Sequence, residues 1–204
     1  MAALVACPIR ALGQCPAGWL PGSGVPGLNG PVRAMTATPE GDLIVGGAFD
    51  TAGDVPASRI ASYNPVTGQW SALGSGISFG LVNAVAVLPA GNVIVSFETS
   101  LAGGVARSQI SLYHPTTREW TSVASGIHGN VNAFLVLPSG DLIAGGSFTS
   151  IGGVAANYIV RYSPDSGLWS ALGGGTNQSV SSLALLPGGD LIVGGGFTIA
   201  GGVD

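Results

Sequence analysis

Three aspartates recur at one position of a regular spacing along the chain, and their carboxylates could bind a metal ion. Asp42, Asp141 and Asp190 each follow a glycine, and Asn92 takes the fourth equivalent position. Calcium binds roughly six to eight oxygens, so these side chains are candidate calcium ligands. However, equivalent positions on separate repeat units generally lie too far apart to share one ion, and an Asp in a turn commonly hydrogen-bonds local backbone. We therefore predict turn residues and no cofactor, with calcium as the alternative.

A second repeat position carries polar side chains that could converge on one ligand. Arg33, Asn83, Asn132 and Ser181 each follow the valine that opens a predicted strand. If these strands line the central channel of a ring, the four side chains face a shared axial site, and convergent polar groups in a concave site typify ligand binding. The alternative is that they hydrogen-bond neighbouring units or channel water. They are the candidate ligand-binding residues of this sequence.

The sequence lacks the arrangements typical of an enzyme nucleophile. His114 and His128 are the two histidines, and they fall in a turn and in a connection between repeats. A Ser–His–Asp site needs a base held by a third group, and the sequence shows no helical pattern of the kind that must follow the strand in a nucleophile elbow. Cys7 and Cys15 have no nearby histidine and predict no metal site; a local disulfide and two free thiols both stay open. We predict no catalytic residues.

Composition argues against nucleic-acid binding and membrane insertion. The net charge is -4, and the six basic residues, all Arg, are scattered, whereas phosphate backbones need clustered positive charge. Gly, Pro, Ser or Asn interrupts every apolar run before the roughly 20 residues that a spanning helix needs. The 35 glycines favour many tight turns over helices, since Gly weakens a helix interior.

An internal repeat of about 49 residues places all of these side chains. The segments GDLIVGG, GNVIVSF, GDLIAGG and GDLIVGG begin at intervals of 50, 49 and 49 residues. The same period relates two further sets of landmarks: Trp70, Trp120 and Trp169, and Val32, Val82, Val131 and Val180. Three landmarks with a common period establish the repeat, and a period near 50 is typical of a repeat architecture.

Each period predicts four short strands. The first alternates polar and apolar residues and ends in an LPxG turn, where Pro and Gly supply the required φ angles. The second is apolar and ends in a Gly pair, the third carries a Tyr, and the fourth opens with the Trp. We predict an all-β fold, a β-propeller of four-stranded antiparallel blades. The Trp side chains are expected to pack between blades rather than to stack on sugars.

The repeat resembles the kelch repeat, as found in the central domain of galactose oxidase. The resemblance rests on the apolar strand, the Gly pair, and a Tyr and Trp separated by six residues, as in Tyr63 and Trp70 of SYNPVTGQWSALGSG. The resemblance covers residues 19–204. It implies a propeller but not a function, because kelch-like propellers host ligand binding, scaffolding and occasional enzymes.

The repeat landmarks predict an irregular N-terminal segment followed by complete and partial blades. The ranges are 1–18 for the segment, 19–30 for a partial blade, 31–79, 80–128 and 129–177 for three full blades, and 178–204 for a final partial blade. Three interpretations stay open: a fragment of a longer propeller, a homo-oligomer that completes a ring between chains, and a small closed four-blade ring.

The second blade departs from the pattern. Ser96 and Phe97 replace the Gly pair, and Thr99 stands where the other repeats have Phe49, Phe148 and Phe197. We expect Phe97 to compensate for the missing aromatic in a locally altered strand end. This blade should then present a different surface, unless the change is neutral drift.

We predict a non-enzymatic binding or scaffold module whose protein, small-molecule or glycan partners meet variable loops on a regular frame. The alternatives are a calcium-dependent propeller hydrolase or lactonase, suggested by fold analogy, and a structural surface repeat protein. Low charge, the lack of Lys and paired Cys favour an extracellular or envelope location. The N-terminus lacks the basic start and apolar stretch of a signal peptide, which argues the other way and leaves the location open.

Overall fold

The computed structural model describes residues 27–102 and 105–202. The first four-stranded antiparallel sheet has the order β1-β2-β5-β6, and a small hairpin, β3-β4, lies in the connection between its second and third strands. The strands are β1 (Val32–Ala37), β2 (Leu43–Gly47), β3 (Thr51–Ala52), β4 (Val55–Pro56), β5 (Ile60–Asn64) and β6 (Gln69–Ala72).

The second sheet has the order β10-β9-β8-β7 and longer strands. Its members are β7 (Val82–Val87), β8 (Val93–Ala102), β9 (Val105–His114) and β10 (Glu119–His128). The pairing of β8 with β9 continues from Val93 opposite Tyr113 to Ala102 opposite Val105. The end of β8, which the sequence predicted to be altered, is therefore part of an extended hairpin with β9.

The third sheet returns to the first arrangement, in the order β11-β12-β15-β16, with its own small hairpin β13-β14, and a two-stranded sheet follows it. The strands are β11 (Val131–Val136), β12 (Leu142–Gly146), β13 (Ser150–Ile151), β14 (Val154–Ala155), β15 (Ile159–Ser163), β16 (Leu168–Ala171), β17 (Val180–Leu185) and β18 (Leu191–Gly195). The predicted all-β fold of four-stranded antiparallel blades is confirmed. The predicted segment 1–18, with Cys7 and Cys15, and most of the partial blade 19–30 lie outside the described residues.

Turn chemistry sets the strand boundaries. In the LPxG turn between β7 and β8, Gly91 has φ 81° and donates its N–H to the carbonyl of Leu88 at 2.8 Å. A positive φ is accessible to glycine without the Cβ clash that other residues meet. This glycine closes the turn that brings the two strands into register.

Blades pack through valines set against glycines. Val82, Val131 and Val180 are fully buried. A Cβ on Gly145 would lie 2.5 Å from Cγ1 of Val180, and one on Gly46 would collide with Val82 in the same way. In the first and third blades the first glycine of the pair is therefore required where the next blade's valine packs against the strand.

The repeat tyrosines and tryptophans are cross-strand partners. Tyr113 lies opposite Trp120 in the β9–β10 register, with ring centroids 5.1 Å apart. The Trp120 indole N–H donates to the carbonyl of Leu73 in the preceding blade at 3.1 Å. The structure thus shows the predicted packing of a repeat Trp between blades.

The far face of the terminal hairpin β17-β18 is open. Ile192 is 48% exposed, whereas its repeat equivalents Ile44, Ile94 and Ile143 are 4%, 0% and 1% exposed because the following blade covers them. Within the described residues no blade covers Ile192. An assembly that completes a ring between chains stays a prediction. No helix in the described part of the chain is long and apolar enough to cross a membrane.

Candidate functional site

The predicted channel residues engage neighbouring blades. Strands β1, β7, β11 and β17 adjoin one another in that order. Nη1 of Arg33 donates to Oδ1 of Asn83 at 3.2 Å, and Nδ2 of Asn132 donates to the carbonyl of Val180 at 2.9 Å. Ser181 is exposed on β17. For Arg33, Asn83 and Asn132, these contacts favour the alternative role that the sequence predicted, which is to hydrogen-bond neighbouring blades.

Two of the three repeat aspartates, Asp42 and Asp141, are held by side chains of their own blades. Asp42 accepts a hydrogen bond from Nδ2 of Asn64 at 2.7 Å. Asp141 accepts from Nε of Arg161 at 3.0 Å, from its Nη2, and from the Ser139 hydroxyl at 3.0 Å. These bonds, that from Arg161 above all, lower the pKa of the Asp141 carboxyl below its ordinary value. The sequence predicted backbone partners, whereas the structure shows side-chain partners.

The described residues contain no cluster of three or more His, Cys, Asp or Glu side chains that could hold a metal ion. Asp190 is exposed on the terminal hairpin. Nε2 of His114 lies 2.9 Å from the hydroxyl of Thr121, and His128 is exposed at the end of β10. The structure therefore gives the two histidines no carboxylate partner among the residues that it describes.

The second blade carries a cavity of about 330 Å³ on the side that faces the connection from β6 to β7. One wall is that connection, including Ser78 and Phe79, and the floor is formed by β8, β9 and β10. Along β9, Gln109 and Ser111 lie two residues apart and so point to one face of the sheet. Phe97 lies opposite Gln109 in the strand register and completes that face.

Two aromatic residues shape the cavity, and both depart from the repeat. Phe97, which replaces the second glycine of the pair, is 5% exposed and belongs to the apolar cluster between the first and second blades. Phe79 is 52% exposed and meets Phe97 edge to face, with ring centroids 6.1 Å apart. Phe97 thus supplies the aromatic that Thr99 lacks, as the sequence predicted, and Phe79 offers an exposed ring at the cavity mouth.

Phe79 is the residue that sequence reasoning missed. Its repeat equivalents are Asn29, His128 and Asn177. Oδ1 of Asn29 accepts the backbone N–H groups of Asp50 and Thr51 at 2.8 and 3.0 Å, and Asn177 accepts two backbone N–H groups in the same way. A phenyl ring cannot accept such bonds. A column-by-column comparison of the connections between blades would have revealed the exchange.

The polar side of the cavity is uncharged. Nε2 of Gln109 lies 3.3 Å from the Ser111 hydroxyl and 3.4 Å from the Ser122 hydroxyl. Both distances exceed the 2.9–3.0 Å at which N–H···O bonds are commonest, so a ligand could replace these partners at small cost. The described residues that line the cavity include no titratable side chain.

A second cavity of about 390 Å³ lies between the second and third blades, at the opposite edge of the sheets. It is lined by Asp141 and Asp165, among others, and by Tyr162, whose pKa is raised by burial. Arg161 and Ser139 already satisfy Asp141. Unlike the cavity on the second blade, this one is lined by carboxylates, those of Asp141 and Asp165.

The blade pattern defines the chain as part of a β-propeller, and comparison with known proteins agrees. The model of the family described as the Rax2 C-terminal beta propeller domain matches residues 23–140, more than half of the chain. The chain belongs to this family. A β-propeller domain of unknown function, DUF5122, matches residues 137–167. A search of curated proteins found no match.

Solved structures show the same fold at low sequence identity. The extracellular domain of a one-component system from B. thetaiotaomicron is 14% identical with a TM-score of 0.55, over 80% of this chain and 20% of that one. PorZ, a surface component of the type-IX secretion system of Porphyromonas gingivalis, is 13% identical with a TM-score of 0.50, over 87% and 27%. A protein assigned as a gluconolactonase is 20% identical with a TM-score of 0.51, over 82% and 58%. This chain thus spans about a fifth of the first of these structures.

Proposed function

We propose that this chain is a non-enzymatic binding module and that the cavity on its second blade is the ligand site. The observation that supports this most directly is the coincidence of Phe79 and Phe97. Both residues break the repeat, and they meet at one cavity. A rigid propeller that varies one blade is a common way to display a binding surface.

Phe79 meets Phe97 edge to face, yet about half of its surface, 52%, faces solvent. A solvent-facing phenyl group contributes little to stability, whereas aromatic side chains are enriched where proteins bind partners. In the other connections the same position carries a polar residue, Asn29, His128 or Asn177. The exchange from Asn to Phe is therefore explained by binding better than by folding.

The calcium-dependent hydrolase gains no support from the aspartates. Asp42 and Asp141 are engaged by Asn64 and Arg161 of their own blades, so binding of an ion would have to break these contacts. Thermal unfolding with and without millimolar calcium separates the two functions, because an ion that binds only the folded state raises the melting temperature. The binding module predicts no rise, and a rise of several degrees would favour the hydrolase.

The proposal includes a kelch-type repeat and an extracellular or envelope setting. The cross-strand pairing of Tyr63 with Trp70, at the spacing of the kelch pattern, supports the first. The low content of charged residues, 8% with no Lys, supports the second. Fractionation of cells that make the natural protein, with detection of the protein in the medium, the envelope and the cytosol, tests the location.

A direct test of the binding module compares the natural chain with Phe79→Asn, which introduces the residue that two other repeats carry at this position. A library of small neutral molecules, short peptides and oligosaccharides is screened by ligand-observed NMR. If the cavity is the binding site, some ligands should give NMR signals of binding with the natural chain that are lost with Phe79→Asn. A library in which no ligand distinguishes the two proteins would contradict the proposal.

A further inference from the structure

We propose that the cavity on the second blade binds a neutral saccharide. This inference rests on the proposed function, to which it adds the class of ligand. The cavity offers an aromatic surface beside hydroxyl and amide groups, and the described lining carries no charge. Each of these three properties restricts what can bind.

The lack of charged side chains among the described lining residues disfavours ionic ligands. A carboxylate, phosphate or ammonium group entering the cavity would lose water without gaining an opposite charge, which is costly. The lining therefore favours a neutral ligand. It also favours a polar ligand, because hydroxyl and amide groups left without partners by an apolar ligand carry their own desolvation cost.

The aromatic residues select a ligand with one apolar face. Phe79 is 52% exposed, Phe97 lies behind it, and Trp120 lines the cavity while its indole N–H is bonded to Leu73. With that N–H occupied, Trp120 presents apolar surface to the ligand. A pyranose ring combines a face of C–H groups with a rim of hydroxyls, which matches this division of the lining.

The polar groups suit the rim of a sugar. The Gln109 amide has both donors and an acceptor, and the Ser111 and Ser122 hydroxyls can each donate and accept. Sugar hydroxyls also do both, so each can replace one of the long contacts within the cavity. The volume of about 330 Å³ lies at the lower end of the range for small-molecule sites, which suits one or two sugar rings.

A proline-rich peptide is the competing occupant, because aromatic grooves also bind such segments. The hydroxyl-rich lining favours the saccharide, since proline side chains offer no hydrogen-bonding partner. The peptide is therefore included in the test rather than proposed.

The experiment titrates the full chain with neutral disaccharides to tetrasaccharides of glucose, mannose, galactose or N-acetylglucosamine, followed by saturation-transfer NMR and calorimetry. A sialylated trisaccharide and a proline-rich peptide are the comparators. Variants are Phe79→Asn, Gln109→Ala and the control Leu168→Asn, which changes a residue 68% exposed on the third blade. We expect at least one neutral saccharide to bind, with at least tenfold weaker binding in both cavity variants and unchanged binding in the control.

Three results would overturn the proposal that the cavity binds a saccharide. Binding of the peptide but no saccharide, in a manner that depends on Phe79, would refute the saccharide and leave the binding module standing. Saccharide binding that survives both cavity variants would place the site elsewhere. The absence of any Phe79-dependent ligand would refute both proposals. Circular dichroism of each variant shows whether it retains the fold.

Discussion

Phe79 and Phe97 meet edge to face, with their ring planes 69° apart and their centroids separated by 6.1 Å. One ring is exposed and the other is buried, although both residues break the same repeat. Phe97 therefore packs in the core, whereas Phe79 presents its ring at the surface. Substitutions at the two positions should separate these roles.

Phe79→Asn should leave the free energy of unfolding within about 0.5 kcal/mol of the natural value, because surface changes are usually small. Phe97→Ala should lower it by about 3–5 kcal/mol, as for other buried Phe side chains. Urea denaturation of the two variants measures the difference. Equal losses would show that Phe79 is structural, which would remove the main support for the binding site.

Ser96→Ala should stabilise the chain by about 1 kcal/mol, because a buried hydroxyl without a partner is unfavourable. Ser96 is fully buried, and its Oγ has no hydrogen-bond partner among the described residues. Ser111→Ala is the control, since the Ser111 hydroxyl accepts from Gln109 and its removal should give no gain. Chemical denaturation tests both variants, and a loss of stability in Ser96→Ala would reveal a partner for that hydroxyl.

Gly145→Ala should destabilise the interface between the third blade and the terminal hairpin by about 1–3 kcal/mol, the usual cost of overpacking. The added methyl would lie 2.5 Å from Val180 Cγ1. Gly188→Ala, where a Cβ meets no atom within 4 Å, should be neutral. Thermal unfolding measures both. If the valine is the cause, Val180→Ala combined with Gly145→Ala should cost less than the sum of the two single changes.

The contact between Asp141 and Arg161 should make stability depend on pH in the acid range. The pKa of Asp141 is lowered from its ordinary value of 3.8 by hydrogen bonds from Arg161 and Ser139. A carboxyl with a lower pKa in the folded state adds stability that is complete above its unfolded pKa and is lost as the pH falls through the folded pKa.

The difference in stability between the natural chain and Arg161→Gln should therefore be present at about pH 6 and should shrink below about pH 4. Arg118→Gln, at an exposed position, is the control and should show no such convergence. Urea titrations across this range measure the effect. A difference that stays constant with pH would mean that Arg161 acts through packing alone.

The repeat made the blades predictable because it records backbone requirements. Gly91 must turn the chain at positive φ, and Gly145 must admit Val180, so such residues recur at a fixed spacing. The constant separation of Tyr and Trp placed them on successive strands, and the structure shows that Tyr113 and Trp120 pair across those strands. Residues that build the fold are visible in one sequence when the sequence repeats itself.

The binding site was less predictable because it consists of departures from the repeat. Phe97 was recognised as an irregularity, but its meeting with Phe79 depends on how the connection from the first blade crosses the second. The partners of Asp42 likewise depend on which residue of β5 lies beside it, which the spacing does not determine. Asn64 fills that place in the structure.

The most direct test of the binding module follows the indole N–H resonances of the tryptophans by NMR while a ligand found in the screen is added to the protein. Trp120 lines the cavity, whereas Trp70 and Trp169 pack in other blades. The module predicts that the signals of Trp120 and of the Gln109 side-chain amide move with ligand concentration while those of Trp70 and Trp169 stay fixed. Movement of Trp70 or Trp169 with Trp120 unchanged would contradict the assignment of the site to the second blade.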